Sequence, residues 1–183
     1  MIKRWFQVAC FGAIAAALFL HREPVEFEIP GSEPRAIAVS PAARSREVWQ
    51  VKPGSVYDGD TLRVTNGPQE LKIRFCGIDA PEKDQPFGVA SRDYLRSLLP
   101  DGAEVAIAQI ELDRYERTVA EVFLGDESVN AQMVRAGLAW HYERYSGNCP
   151  SRAEIVQAEA EARSQGLGVF AAGNVPPWEW RRR

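Results

Sequence analysis

The chain has 183 residues, 45% of them hydrophobic and 26% charged, which excludes a disordered or collagen-like chain and leaves room for one ordinary domain plus an additional segment. Its net charge of −3 at pH 7 argues against a protein that holds nucleic acid through a broad cationic surface. Residues 48–170 carry 13 Lys or Arg against 19 Asp or Glu, a net charge of −6, so an anionic ligand must be held there by a few well-placed cations or by a metal ion.

The first 22 residues have the pattern of a targeting segment. Lys3 and Arg4 precede the 16-residue stretch Trp5–Leu20, which is interrupted only by one Gln and one Gly. This stretch is long for a signal-peptide core and short for the ~20 residues of a spanning helix, so residues 1–22 are predicted to be a signal peptide or an N-terminal membrane anchor. The flanking charges predict an extracytoplasmic protein, secreted or periplasmic, which contacts the membrane if the segment is not cleaved. A buried helix of a cytosolic protein is the alternative.

Residues 23–47 hold four prolines among polar residues and show no apolar period. Because proline fixes φ and blocks regular pairing, this stretch is predicted to be an extended spacer. The folded domain is predicted to span residues 48–175, and residues 176–183 are predicted to form a basic, aromatic tail.

The first half of the domain has the pattern of β-strands. Residues 71–76 and 104–107 alternate between apolar and more polar side chains, which is the period of two of a half-buried strand. The pairs Asp58-Gly59 and Asn66-Gly67 predict tight turns between such strands. These elements indicate a meander of hairpins.

Helical patterns follow in the second half. Helices are predicted over Val89–Leu99, Val129–Leu138 and from Ser151 to about Gln165, with a strand over Thr118–Phe123. The spacing from Ser151 to Glu154 predicts a capping box. Together these patterns predict an α+β fold, a small five-stranded antiparallel barrel with about three helices.

Three clusters of charged residues lie at turns and strand ends. They are Asp58-Gly59-Asp60-Thr61, then Arg74 followed by Gly77-Ile78-Asp79-Ala80-Pro81-Glu82, and then Asp113-Arg114-Tyr115-Glu116-Arg117. Taken singly, the first cluster is what a hairpin turn requires, and the other charges are what a solvated surface carries. The second cluster is harder to dismiss, because it projects two carboxylates from a proline-stiffened turn near an arginine.

Taken together, the clusters supply the groups that phosphodiester cleavage needs. Asp60 and Asp79 are hard oxygen ligands that suit Ca²⁺ or Mg²⁺, whereas Zn²⁺ is disfavoured because no His or Cys accompanies them in these clusters. With only two histidines in the chain, Glu82 becomes the candidate acid–base residue. Arg74 and Arg117 offer planar forks for phosphate oxygens, which gain negative charge in the five-coordinate state.

In this order and at these separations, the clusters resemble the staphylococcal nuclease (thermonuclease) family, from about Val51 to Phe170. The resemblance implies an OB-fold barrel. It also implies a Ca²⁺-dependent endonuclease that acts on DNA and RNA, prefers single strands or open ends and leaves 3′-phosphates. We expect a monomer.

The resemblance also implies roles for individual residues. Asp60, Asp79 and the main-chain carbonyl of Ala80 would ligate Ca²⁺, and Glu82 would activate or orient the attacking water. Arg74 and Arg117 would clamp the scissile phosphate. Substrate would be bound further by Tyr115, which would contact a neighbouring phosphate, and by Arg114, Tyr142 and Tyr145.

Three positions depart from the family pattern. Ala80 stands where the best-known member has Thr, but a main-chain ligand survives that change. Glu116 replaces the usual Gly, which would stiffen the loop and make the potential beside the phosphate clamp more negative. The aromatic pair near the base pocket is matched only approximately by Tyr142 and Tyr145, either of which could stack on a base or belong to the core.

Two other function classes remain open from sequence. An OB-fold can bind single-stranded nucleic acid without cutting it, although a pure binder has no need of the carboxylate and arginine set. A membrane-tethered interaction domain would leave the carboxylates as plain surface. Cys76 and Cys149 are likewise open: an exported compartment would allow a disulfide, and two buried thiols are the alternative.

Overall fold

A computed structural model describes residues 46–183. The predicted targeting segment and nearly all of the predicted spacer lie outside the described residues. No helix within 46–183 is both long enough and apolar enough to cross a membrane. The strands are β1 Glu47–Val51, β2 Thr61–Asn66, β3 Gln69–Phe75, β4 Ile78–Asp79, β5 Glu104–Leu112, β6 Thr118–Leu124, β7 Glu127–Ser128 and β8 Trp140–His141. The helices are α1 Gly88–Leu98, α2 Val129–Arg135, α3 Arg152–Ser164 and α4 Pro177–Trp180, with short 3₁₀ helices at Glu143–Tyr145 and Gly168–Phe170.

Five strands close into a barrel in the order β3-β2-β1-β5-β6, and β7 extends the sheet beyond β6. The strand pairs along this order are antiparallel, and a parallel pairing of β3 with β6 closes the barrel, with Arg74 beside Val119. A separate antiparallel pair, β4 with β8, sets Asp79 opposite Trp140. The α+β OB-fold is confirmed, and its barrel is mixed because of the closing pair.

The alternation is confirmed from Leu71 to Phe75 and fails at Cys76, which is buried just after the strand ends. Ile73 and Phe75 are buried in the barrel core, while Lys72 lies exposed between Leu71 and Ile73. Burying such side chains contributes roughly 25 cal/mol per Å² of apolar surface, which is why the pattern fixes the register.

The two predicted turns differ. Asn66 pairs with Gln69, and Gly67 adopts φ 56° in the tight turn between β2 and β3, as expected. Asp58-Gly59 instead ends the loop that leads into β2, where the amide of Asp60 donates to Asp58 Oδ1 at 3.1 Å. This loop packs so closely against α1 that a Cβ on Gly59 would collide with the Ser91 side chain.

The helices form close to their predicted positions, but the capping box is wrong. Ser151 sits at the N-cap of α3 without a capping bond from its side chain. Its own amide donates to Oε2 of Glu121 at 2.9 Å, and Oε1 of this fully buried carboxylate accepts from Ser128 Oγ at 2.9 Å. Glu154 forms an ion pair with Arg135 at 3.4 Å. The start of α3 is therefore bound by Glu121, a residue distant in sequence, and not by a capping box of Ser151 with Glu154.

Cys76 and Cys149 form a disulfide across a sequence separation of 73 residues, with their Cα atoms 5.9 Å apart. Cys76 follows β3 directly, and Cys149 lies just before α3. The bridge therefore ties the start of the last long helix to the strand that carries Arg74.

Candidate active site

The first two clusters meet because β2 and β3 pair with Thr61 opposite Arg74. This register sets Asp60 beside the end of β3, and the amide of Phe75 donates to the carbonyl of Asp60 at 2.9 Å. The amide of Ala80 donates to Asp60 Oδ2 at 2.6 Å. Two segments that are 20 residues apart in the sequence thus share one hydrogen-bonded corner.

Arg74 holds this corner together. Its Nη1 donates to the carbonyls of Phe75 and Ile78, both at 2.9 Å, and lies 3.2 Å from Oδ2 of Asp60. Its Nη2 donates to Oδ1 of Asp79 at 2.8 Å. With its side chain only 14% exposed, Arg74 is fixed in one orientation. Arg74, which was predicted to clamp the phosphate, therefore contacts Asp60 and Asp79, the predicted metal ligands.

The carboxylates of this corner are crowded and largely desolvated. Asp60 and Asp79 are 5% and 2% exposed. Burial, followed by the charge of Asp60, raises the pKa of Asp79 above its usual range, while Arg74 and Arg181 oppose the rise. Burial and the charge of Asp60 also raise the pKa of Asp58 to about 6. Because these buried negative charges have lost their solvation and repel one another, positive charge nearby stabilises them.

The donor set of this corner fits a hard cation. Asp60 and Asp79 present acceptor-only oxygens, and the carbonyl of Ala80 follows directly in the chain. Within residues 46–183, no three or more His, Cys, Asp or Glu side chains are grouped so as to hold a metal ion. A cation bound here would rely on two carboxylates, a carbonyl and water, a coordination that Ca²⁺ accepts.

Glu82 lies at the rim of the corner, with its side chain 40% exposed. Its amide donates to the side-chain oxygen of Gln85 at 3.1 Å, and Gln85 is itself buried. Gln85 was not among the predicted site residues. The hydrogen bond from the Glu82 amide to the Gln85 side chain depends on the fold of the turn, and no sequence motif indicates it.

The third cluster forms the tip of the hairpin between β5 and β6. Arg117 donates from Nε and Nη2 to Oδ2 of Asp113, both at 2.7 Å. Although desolvation opposes it, these bonds and those from backbone amides lower the pKa of Asp113. Because Val119 pairs with Arg74, the hairpin rises from the strand next to the carboxylate corner. Among the described contacts, Arg117 has none with Asp60 or Asp79.

Tyr115 is the exposed aromatic residue of this hairpin, with 62% of its surface accessible. The guanidinium groups of Arg114 and Arg117 lie 4.8 and 5.4 Å from its ring centroid. Glu116 has φ 59°, in the left-handed region that favours glycine. The family's glycine at this position therefore has a conformational reason, and Glu116 adopts the same backbone geometry at a cost.

The tyrosine pair lies beside the Gly77 turn, where the amide of Tyr142 donates to the carbonyl of Gly77 at 2.8 Å. Tyr142 and Tyr145 contact edge to face with centroids 4.8 Å apart. Tyr145 is 55% exposed, which excludes it from the core. Tyr142 stacks on Trp178 at 4.7 Å, with an interplanar angle of 13°. Its face is thus shared with an aromatic residue of the C-terminal tail.

Comparison with known proteins agrees with this geometry. Residues 72–172 match the profile of the family described as staphylococcal nuclease homologue. The chain belongs to this family. An "Uncharacterized endonuclease" of Haemophilus influenzae is 38% identical over 144 residues, which cover 78% of each chain. A "Micrococcal nuclease" of Shigella flexneri is 39% identical over 69% of this chain and 77% of its own.

A plant relative is much longer than the stretch that it shares with this chain. The "Staphylococcal-like nuclease CAN1" of Arabidopsis thaliana is 36% identical over 62% of this chain and 34% of its own length. The nuclease names of these relatives support a nuclease function for this chain.

One residue of this nuclease homologue was missed altogether by sequence reasoning. Arg181 donates from Nη2 to Oδ2 of Asp79 and from Nη1 to Oε1 of Glu82, both at 2.6 Å. Although partial burial opposes it, these bonds raise the pKa of Arg181 above its ordinary value. The only signal was the basic run that ends the tail, and nothing in that run indicates which arginine reaches the carboxylates.

Proposed function

We propose that this protein is an exported, Ca²⁺-dependent endonuclease that hydrolyses phosphodiester bonds of DNA and RNA and leaves 3′-phosphates. The observation that carries the proposal is the buried pair Asp60 and Asp79, held by Arg74 beside Glu82 in a chain of the staphylococcal nuclease family. A pair of desolvated carboxylates at an arginine and beside a third acid is more than a fold of this kind needs for stability.

The Ca²⁺ site would be formed by Asp60, Asp79 and the carbonyl of Ala80. Bound there, the ion would supply positive charge that stabilises the charge developing on the phosphate oxygens. Arg74 would orient the two carboxylates, because it bonds directly to Asp79 and lies 3.2 Å from Asp60.

Glu82 is the proposed general base. It would accept a proton from the water whose oxygen attacks phosphorus, while the bond from phosphorus to the 5′-oxygen breaks and the electron pair leaves with that oxygen. Arg74 and Arg117 would stabilise the equatorial oxygens with charge that cannot be titrated away. This cleavage leaves the phosphate on the 3′ side.

Substrate contacts beyond the scissile phosphate would come from exposed aromatic and cationic groups. Tyr115 and Arg114 project from the hairpin, and Tyr145 is exposed beside Tyr142. Because residues 48–170 have a net charge of −6, binding would be brief and would depend on the cation rather than on a cationic face.

A cleavage assay on the full chain tests this proposal. Single-stranded DNA and RNA are each incubated with protein in Ca²⁺, in Mg²⁺ and in excess chelator, and product ends are analysed for 3′-phosphate. We expect cleavage of both nucleic acids in Ca²⁺ and loss of cleavage on chelation. Folded protein that cuts neither in Ca²⁺, or that cuts equally well in chelator, would contradict the proposal.

Non-catalytic binding of single strands is the second candidate. The exposed Tyr115, flanked by Arg114 and Arg117, is the kind of platform on which bases stack. Retention of single-stranded DNA in chelator, without cleavage in Ca²⁺, would favour this candidate.

Export and a monomeric state belong to the same proposal. The disulfide between Cys76 and Cys149 supports export, because such bonds persist in oxidising compartments. Cell fractionation and N-terminal sequencing of the recovered protein would show whether it is secreted, periplasmic or membrane-anchored. Gel filtration with light scattering would test for a monomer.

A further inference from the structure

The C-terminal tail, residues 176–183, lies against the candidate active site together with Val175 before it. The side-chain amide of Gln85 donates to the carbonyl of Val175 at 2.6 Å, and Pro177 is buried. Trp178 stacks on Tyr142 with centroids 4.7 Å apart. The tail therefore has three anchors before Arg181 reaches the carboxylates.

Arg181 occupies the oxygens that a cation would need. Its Nη2 takes Oδ2 of Asp79 at 2.6 Å, while Arg74 takes Oδ1 at 2.8 Å. Both oxygens of Asp79 are thus bound by guanidinium groups. The same Arg181 also bonds to Glu82 at 2.6 Å, so one side chain bridges the predicted metal ligand and the predicted base.

The two arginines differ in how easily they can leave. Arg74 is 14% exposed and bonds to two backbone carbonyls, so its departure would strand buried polar groups. Arg181 is 43% exposed, and the described hydrogen bonds of its side chain are all to Asp79 and Glu82. It extends from α4, a helix of four residues. Arg181 can be displaced at much lower cost than Arg74.

We propose that the tail is an autoinhibitory strap, in which Arg181 stands in for a cation at Asp79 and Glu82 while Trp178 covers the face of Tyr142 that a base would use. The inference rests on the proposed Ca²⁺ site. Ca²⁺ and nucleic acid then compete with the tail, so each has to shift it away from the site. Coupling of this kind is reciprocal: if the docked tail weakens Ca²⁺ binding, Ca²⁺ loosens the tail by the same factor.

Calorimetric titration of the full chain with Ca²⁺ tests the first half of this coupling. Arg181→Gln removes the charge and the bridge, and Arg182→Gln is the matched control, because it removes an equal charge from an exposed neighbour. We expect Arg181→Gln to bind Ca²⁺ about tenfold more tightly than wild type and Arg182→Gln to bind it as wild type does. Equal or weaker binding by Arg181→Gln would overturn the inference.

Hydrogen exchange of the wild-type chain tests the second half and needs no variant. The amides of Trp180 and Arg181 donate to the carbonyls of Pro176 and Pro177, both at 3.0 Å. These bonds belong to the four-residue helix α4, which is too short to persist once the tail leaves its anchors, so their exchange reports on docking. Added Ca²⁺ should speed exchange in residues 178–183. Exchange that is unchanged or slower in Ca²⁺ would overturn the inference.

The two proposals fail in different ways. If wild type cleaves single-stranded DNA in Ca²⁺ while either the Ca²⁺ affinity of Arg181→Gln or the tail exchange departs from the expected result, the strap is wrong and the nuclease proposal stands. If Ca²⁺ neither binds to the chain nor supports cleavage, both are wrong.

Discussion

Arg74 and Asp79 lie on either side of the turn at Gly77 and are joined by a 2.8 Å bond from Nη2 to Oδ1. The same guanidinium bonds to the carbonyls of Phe75 and Ile78 within that turn. Arg74 thus fixes the backbone that presents Asp79 as well as neutralising the carboxylate. Its loss should affect both stability and turnover.

Arg74→Ala is expected to lower turnover on single-stranded DNA roughly a hundredfold, and the free energy of unfolding by about 3–5 kcal/mol, because the buried Asp60 loses its ion pair and Asp79 keeps only Arg181. Arg74→Lys should recover part of the stability but little turnover, since it keeps the charge and loses the fork. Urea unfolding and cleavage assays check both. Arg63→Ala is the control, because Arg63 pairs with Glu70 at the surface. Wild-type turnover in Arg74→Ala would refute the assigned role.

The disulfide predicts a defined thiol count and a defined stability loss. The full chain has three cysteines, so unfolded protein prepared without reductant should show one thiol, that of Cys10. Cys76→Ala/Cys149→Ala should lower the free energy of unfolding by about 2–5 kcal/mol, because the bridge closes a long loop. Cys10→Ser serves as the control. Three reactive thiols before reduction would show that the bridge is absent.

The barrel could be predicted from sequence because its signals are local. Alternation in residues 71–75 and the Asn66-Gly67 turn depend on neighbours in the chain, and both form as expected. The cap of α3 could not be predicted, because Glu121 comes from β6, 30 residues before Ser151. A buried acid in a strand gives no local sign of the amide that it will meet.

The carboxylate corner could be predicted as a set of residues but not as a geometry. Asp60, Arg74 and Asp79 were recognisable from their motifs, and the pairing of β2 with β3 brings them together. That Arg181 joins Asp79 from 102 residues away depends on how the tail packs, which composition does not encode.

Glu116 offers a test that separates backbone strain from charge. Glu116→Gly should raise the free energy of unfolding by up to about 1 kcal/mol, because a φ of 59° is strained for any residue with a Cβ and unstrained for glycine. Both Glu116→Gly and the control Glu116→Gln should lower KM for single-stranded DNA, since each removes a negative charge beside Arg117. Only the glycine variant should gain stability. A stability gain in Glu116→Gln as well would assign the effect to charge.

His141 predicts a loss of stability in mild acid. Burial, together with Arg152, lowers the pKa of His141 below its usual 6.5, while Glu159 and Glu143 oppose the shift. As the pH falls below about 6.5, His141 binds a proton in the unfolded chain but not yet in the folded chain, so the free energy of unfolding falls. The contribution is fully present above pH 6.5 and is lost toward the lower folded pKa.

Urea unfolding at pH 7.5 and 5.5 checks this effect against His141→Gln. The wild type should lose more stability between these values than the variant does, with the difference bounded by about 1.4 kcal/mol per pH unit. An equal loss in both proteins would assign the acid sensitivity to other groups.

Turnover of Glu82→Gln on single-stranded DNA in Ca²⁺ tests the assignment of this corner as the catalytic centre most directly. The change keeps the shape of the side chain and removes its capacity to accept a proton, and Asp84→Asn is the control at an exposed position two residues further along. We predict that Glu82→Gln lowers kcat roughly a hundredfold at unchanged stability, while Asp84→Asn matches wild type. Wild-type turnover in folded Glu82→Gln would contradict the account.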